Sequence, residues 1–216
     1  MKISDLIKGS HTFIIAEIGC NFEGDLEKAK EMIRMAAEGG ADAAKFQTVV
    51  AEKIATRTAK KFWEIEGCSG KTQYEEFKDM IYPTFEQYIE LKVEAERAGI
   101  IFFSTAEDED SVDLLEDVGI PLHKVSSMNI THLPLLKHMA RTGKPLIVST
   151  GASTLGEIEE ALKILRAEGN NEIALLHCIS NYPTEDENVN LKMISHLQTV
   201  FPNVPIGYSD HTLPEN

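Results

Sequence analysis

The sequence predicts an α/β fold of the (β/α)8 type, the TIM barrel, truncated after about seven strands. Three observations carry that expectation. Seven short apolar runs recur along the 216 residues. Between most of them lie segments whose apolar residues return every three to four positions, the period of a helix packed on one face. Each apolar run also ends in a polar, chemically capable residue. Strands that alternate with helices make a parallel sheet, and a β/α barrel delivers every strand's carboxyl end to the face that carries the active site.

The elements follow in order. Phe13-Ile14-Ile15-Ala16 ends in Glu17, and Asp25 then caps a helix striped by Leu26, Ala29, Ile33, Ala36 and Ala37, which stops at Gly39-Gly40. Ala43-Ala44 ends in Lys45, with Gln47 two residues on. Residues 49–83 interrupt the alternation, a long stretch for a βα connection of usually about 2–6 residues. It carries Trp63, Gly67 and Gly70, and is expected to form a lid-like excursion plus a helix around Tyr74–Met80. Thr84 and Gln87 make a capping-box pair before Tyr88, Leu91 and Ala95, and Gly99 ends that helix.

Ile100-Ile101-Phe102-Phe103 ends in Ser104-Thr105, and Asp110 leads the helix of Val112, Leu114, Leu115 and Val118 up to Gly119. The acidic run Glu107-Asp108-Glu109-Asp110 reads as a solvated loop that also caps this helix. Leu122-His123 leads to Lys124 and Ser127; Pro134, tolerated in a first helical turn, precedes Leu135, Leu136 and Met139, and Gly143 closes. Leu146-Ile147-Val148 ends in Ser149-Thr150, and a second capping box, Thr154 with Glu157, opens the helix that ends near Gly169. Ile173-Ala174-Leu175-Leu176 ends in His177-Cys178, and Leu191, Ile194 and Leu197 mark a last helix stopped by Pro202. Pro205-Ile206-Gly207-Tyr208 ends in Ser209-Asp210-His211.

A closed barrel takes eight strands and eight helices, typically in about 250 residues. Residues 1–216 are therefore expected to be an incomplete barrel domain from a longer protein, because an open end leaves strand edges unpaired.

Lys and Arg number 21 against 35 Asp and Glu, a formal charge of −14. Such a surface repels nucleic acid and anionic lipid, so neither is expected as a partner. An anionic small molecule can still bind where a few lysines are focused in a pocket. Cys20, Cys68 and Cys178 show no paired spacing, which argues for free thiols in a reducing compartment, most simply as core or pocket-wall residues. No basic segment followed by a long apolar run opens the chain, and no stretch approaches the roughly 18 apolar residues of a membrane span. A soluble cytoplasmic protein is expected.

The barrel arrangement would gather Glu17, Lys45, Lys124, Ser149 and His211 around one cavity. An ammonium group among apolar neighbours is costly, so Lys45 and Lys124 read as a clamp for phosphate or carboxylate, or as Schiff-base amines. Ser127, Ser149, Ser180 and Ser209 follow successive strands and offer hydroxyls and amides for phosphate oxygens. His211, beside Asp210, reads as a metal ligand or general base, and Glu17 as a general base, a metal-side anion or a lysine's salt-bridge partner. His123 and His177 lack metal-ligand spacing. Glycine-rich phosphate loops, catalytic triads and paired-cysteine zinc motifs are absent.

Taken together, Ala16-Glu17-Ile18-Gly19, Lys45-Phe46-Gln47-Thr48, Lys124-Val125-Ser126-Ser127, Ser149-Thr150-Gly151, His177-Cys178-Ile179-Ser180-Asn181-Tyr182-Pro183 and Gly207-Tyr208-Ser209-Asp210-His211-Thr212 resemble the sialic acid synthase family. That family includes N-acetylneuraminate, legionaminate and pseudaminate synthases. The resemblance implies a barrel that condenses phosphoenolpyruvate with an N-acetylated amino-sugar aldehyde, giving a sialic-type acid and phosphate with a divalent metal, manganese or magnesium. By motif, Lys45, Lys124, Ser127, Ser149, Ser180, Tyr182 and Ser209 would hold phosphoenolpyruvate, and Gln47 would line the sugar side. Thr105 and Asn181 join the implied substrate-binding residues, Glu17 would position water or substrate, and His211 would be one metal ligand. The resemblance also implies a homodimer and a C-terminal antifreeze-like domain that lends an arginine to the partner's site.

Three motifs depart from the family pattern. Asn21-Phe22-Glu23-Gly24 stands for Asn-His-x-Gly, Ser104-Thr105-Ala106-Glu107 for Ser-Thr-Pro or Ser-Ser-Pro, and Ser127-Met128-Asn129 for Ser-Gly-Glu. These changes are expected on the sugar side, which leaves the anionic donor better specified than the acceptor. The alternatives left open are a Schiff-base barrel aldolase using Lys45 or Lys124, and a non-catalytic sugar-phosphate binding protein.

Overall fold

The computed structural model describes residues 1–7, 9–61 and 71–213. Trp63, Gly67, Cys68 and Gly70, and with them the centre of the expected lid, lie outside the described residues. The chain divides into two compact units, Ile7–Pro121 and Met1–Leu6 with Leu122–Asn216. A one-turn helix, α1 (Ile3–Leu6), opens the second of these and buries both its end residues.

In the Ile7–Pro121 unit, β1 (Ile15–Gly19) is followed by α2 (Leu26–Glu38) and β2 (Ala43–Thr48). Then come α3 (Ala51–Ile54), α4 (Gln73–Asp79), α5 (Phe85–Ala98), β3 (Ile101–Ala106) and α6 (Glu109–Val118). The three strands pair in chain order and in parallel, with Glu17 opposite Lys45 and Gln47 opposite Thr105. The 49–83 interruption thus holds α3 besides the expected helix, which spans Gln73–Asp79.

In the other unit, β4 (His123–Val125) runs into a 3-10 turn at Ser127–Asn129, then α7 (Leu133–Arg141) and β5 (Leu146–Ser149). The helix α8 (Leu155–Ala167), β6 (Ile173–Cys178), α9 (Lys192–Val200) and β7 (Ile206–Ser209) follow. Again every strand pair is parallel and in chain order, from β4 to β7.

The helices start where their sequence caps place them. Asp25 accepts from the amides of Glu27 and Lys28, and Thr84 and Thr154 each complete a capping box with Gln87 and Glu157. One expectation is corrected: α6 is capped by Asp108, not Asp110. Asp108 accepts from both the amide and the hydroxyl of Ser111 and is itself buried, so the acidic run is not uniformly solvated. Asp110 lies inside the helix and pairs with Lys53 at 2.7 Å. A second correction concerns the serines expected past the strands: Ser149 and Ser209 are the last residues of β5 and β7. Glu17, Lys45, Thr105 and Lys124 lie within the ladders. That rigidifies them, because their backbones are hydrogen-bonded on the sheet.

Strand alternation decides which side chains become core. Phe46 is fully buried between Phe22 and Phe102, with ring centroids 5.9 and 5.5 Å away. Lys45 and Gln47, one residue to either side, face the opposite way. Burying each such aromatic ring contributes about 1.5–3 kcal/mol. Among the described residues no helix is long and apolar enough to cross a membrane.

Candidate functional site

The sequence-predicted residues fall into two groups, one in each unit. In the Ile7–Pro121 unit the centre is Lys45, whose side chain is largely buried. It is ion-paired with Glu17 and donates to Thr105 Oγ1 at 2.9 Å. Gln47 donates to the other carboxylate oxygen of Glu17 at 3.4 Å. A buried cation needs such partners, and the parallel register supplies them: Glu17 lies opposite Lys45 on β1, and Thr105 lies on β3. Gly19 turns the chain away from β1 with φ of 56°, and a Cβ there would stand 3.1 Å from Glu17 Oε1. Glycine therefore leaves Glu17 free to lean on Lys45.

In the other unit Lys124 donates to Ser149 Oγ and, at 2.8 Å, to the carbonyl of Val125. Ser127 accepts from the Gly151 amide at 2.9 Å, and its Oγ lies 3.5 Å from Cys178 Sγ. A Cβ on Gly151 would collide with the Ser180 and Ser127 hydroxyls and press on Cys178, so the glycine is what lets these three groups approach the backbone there. An amide, three serine hydroxyls and a lysine within one unit make an anion-holding set.

His211 is fixed from several sides. Its Nδ1 donates to the carbonyl of Ile179 at 2.6 Å, and the Tyr182 ring stacks on the imidazole at 4.1 Å between centroids. Nε2 lies 3.4 Å from Ser209 Oγ, and the His211 carbonyl accepts from the Thr184 amide. Cys178 Sγ stands 4.0 Å from Nδ1, a secondary contact, because the single Nδ1 proton is taken by the closer carbonyl. Burial opposes the Cys178 thiolate, yet the neighbouring His211 ring and the Ser127 hydroxyl outweigh it and lower the thiol below its ordinary range. Burial likewise opposes the His211 imidazolium, but its contact with Cys178 and the Ile179 carbonyl raises it overall.

With Nδ1–H committed to a carbonyl, the neutral imidazole keeps its Nε2 lone pair as an acceptor. Asp210, adjacent in sequence, instead accepts from the Thr212 amide and from Tyr208. The Thr212 bond leads in holding its carboxyl below the ordinary range. Among the described residues no group of three His, Cys, Asp or Glu side chains is placed to hold a metal. His177 is buried, bonds the Val189 carbonyl at 2.8 Å and stacks on Tyr208, a structural role.

Of the remaining expected residues, Ser180 lies beside Gly151, whereas the Asn181 side chain is exposed and its carbonyl accepts from Thr184 Oγ1. Two contributors escaped the sequence reading: the Gly151 amide, and the contacts of Cys178 with Ser127 and His211. The Ser-Thr-Gly and His-Cys motifs held both residues, but only the register of β4 to β7 reveals what they touch. Cys178 is a buried wall residue, as expected, and neither it nor Cys20 is in a disulfide.

The model of the NeuB family matches residues 32–216. The N-acetylneuraminate-9-phosphate synthase of Homo sapiens is 40% identical over 207 residues, spanning 95% of this chain and 57% of that protein. The N,N'-diacetyllegionaminic acid synthase of Campylobacter jejuni is 40% identical over 204 residues, spanning 93% of this chain and 61% of that protein. Among solved structures, the N-acetylneuraminic acid synthetase of Leptospira borgpetersenii superimposes with a TM-score of 0.81 at 32% identity, covering 93% of this chain and 65% of that one. The spore coat polysaccharide biosynthesis protein SpsE of Bacillus subtilis gives 0.80 at 38% identity, over 95% and 54% of the two chains. This likeness bears out the α/β barrel class expected from the sequence. The chain spans about 60% of the length of the curated relatives it matches.

Proposed function

Because the chain belongs to the NeuB family of sialic, legionaminic and pseudaminic acid synthases, we propose that it is part of an enzyme that condenses phosphoenolpyruvate with an N-acetylated amino-sugar aldehyde. The products are a nine-carbon sialic-type acid and inorganic phosphate. The observation that carries the reading is the pair of strand-borne lysines, each held by hydroxyl or carboxylate partners inside a ladder rather than swinging free.

In this reading Lys124, Ser127, Ser149, Ser180 and Ser209, with the Gly151 amide, hold the phosphate and carboxylate of the donor. By the family motif Lys45 is also a donor-binding residue, and Thr105 keeps its ammonium oriented. As the enol carbon attacks the aldehyde carbon, the lysines stabilise the anionic donor, and Glu17 positions the water that adds at C2. The C2–O bond then breaks and phosphate leaves. Gln47 lines the sugar side, and Asn181 is a further substrate-binding residue. Tyr182 braces His211 and faces the donor. A divalent metal, manganese or magnesium, held at Nε2 of His211 would polarise the aldehyde oxygen. By the same family reading the full-length protein is a cytoplasmic homodimer whose C-terminal antifreeze-like domain lends an arginine to the partner's site.

The test is phosphate release from phosphoenolpyruvate by the full-length protein with manganese, across N-acetylmannosamine and related N-acetylated sugars, with and without a phosphate group. Release that depends on one of these acceptors is expected. Binding without release for every sugar would favour a sugar-phosphate binding protein. A borohydride-trapped adduct of pyruvate on Lys45 or Lys124 would favour a Schiff-base aldolase.

A further inference from the structure

The face of β2 turned away from Lys45 and Gln47 ends in a buried hydroxyl relay. Tyr88, from α5, is fully buried, and its hydroxyl donates to the backbone carbonyl of Gln47 at 2.8 Å. The same hydroxyl lies 2.7 Å from Thr48 Oγ1, which lies 2.8 Å from Ser104 Oγ on β3. A carbonyl can only accept, so the direction of the whole chain is fixed. Tyr88 gives its one proton to Gln47, therefore accepts from Thr48, which in turn accepts from Ser104. Burial raises the Tyr88 phenol to about 12, so it keeps that proton throughout the working range.

The ring is held as firmly as the hydroxyl. Tyr88 packs on Phe102 at 6.3 Å, and Phe102 on Phe46, the residue between Lys45 and Gln47. Gln47 needs such an anchor. It is the penultimate residue of β2, where the ladder ends and the chain leaves for α3. Strand ends open more readily than strand centres. Lys45, two residues earlier, is flanked by β1 and β3 and has Glu17 and Thr105 to hold it.

We propose that Tyr88 is a positioning residue for Gln47: its hydroxyl pins the end of β2 and so sets where the Gln47 carboxamide meets the acceptor sugar. This rests on the function proposed above and adds a determinant of acceptor affinity that touches no substrate.

The experiment uses the full-length protein with phosphoenolpyruvate and N-acetylmannosamine, or whichever acceptor it turns over. Tyr88→Phe keeps the ring and removes only the hydroxyl. It is expected to raise KM for the acceptor about five- to tenfold and leave KM for phosphoenolpyruvate within about twofold. Amide exchange in the peptide covering residues 46–50 is expected to quicken. Thr48→Val, which spares the bond from Tyr88 to Gln47, is expected to change either KM by less than about twofold. Equal rises in both constants, an unchanged acceptor KM, or unchanged exchange at residues 46–50 would overturn the proposal. If the parent protein turns over no acceptor, the proposed function fails on its own account, and the exchange measurement still decides whether Tyr88 anchors Gln47.

Discussion

Phe22 occupies a position where the family pattern has a histidine, and it is nearly fully buried against Phe46. The departure that looked like a change in the sugar site is, for this side chain, a piece of core. Phe22→Ala is expected to cost about 3 kcal/mol or more by denaturant unfolding, because the Phe46 ring loses its neighbour. Gly151 makes the opposite kind of demand. Gly151→Ala would drive a methyl group into Ser127 and Cys178, at 2.8 and 3.1 Å from its Cβ, and into Ser180. Steady-state kinetics should then show KM for phosphoenolpyruvate raised about tenfold or more, since the Ser127 hydroxyl and the amide move apart. The lysines were legible in the sequence because an ammonium after an apolar run is chemically conspicuous. The Gly151 and Cys178 contacts were not, because they depend on which strands lie side by side.

At the scale of the element, the caps carry the lesson. The boxes Thr84–Gln87 and Thr154–Glu157 were readable because cap and partner are three residues apart and need nothing from the rest of the fold. The start of α6 was misplaced because the run from Glu107 to Asp110 offers several acids, and only the backbone path decides which one faces the free amides. Thr84→Ala should lower unfolding free energy by about 1 kcal/mol. Asp108→Ala should cost about 1–2 kcal/mol for the same reason. Asp110→Ala loses only a surface ion pair, worth at most about 1 kcal/mol. Parallel unfolding curves for the two aspartate variants check this, and equal losses would restore the sequence-based assignment.

For the molecule as a whole, one contribution to acid stability comes from Asp42. Burial works against the Asp42 charge, but the Ile14 amide and His11 outweigh it and hold its carboxyl below the ordinary range. Its stabilising effect is therefore complete above the unfolded-state carboxylate pKa and is lost as pH falls through the lowered folded value. His11→Gln should shallow the acid limb of a stability-against-pH curve below about pH 4, the range of an unperturbed aspartate. The fold class was legible from end to end because periodicity survives without long-range information. The grouping of side chains was legible only as far as strand-end position predicts it.

Parity along β2 has one more consequence. Odd-numbered Lys45 and Gln47 carry polar chemistry, while even-numbered Phe46 and Thr48 serve the aromatic wall and its hydroxyls. An insertion of a single residue inside β2, between Ala43 and Lys45, would turn the rest of the strand over, burying an ammonium among aromatic rings and turning a phenyl ring to the polar face. Length variation should therefore be forbidden within β2 and accepted just beyond Thr48.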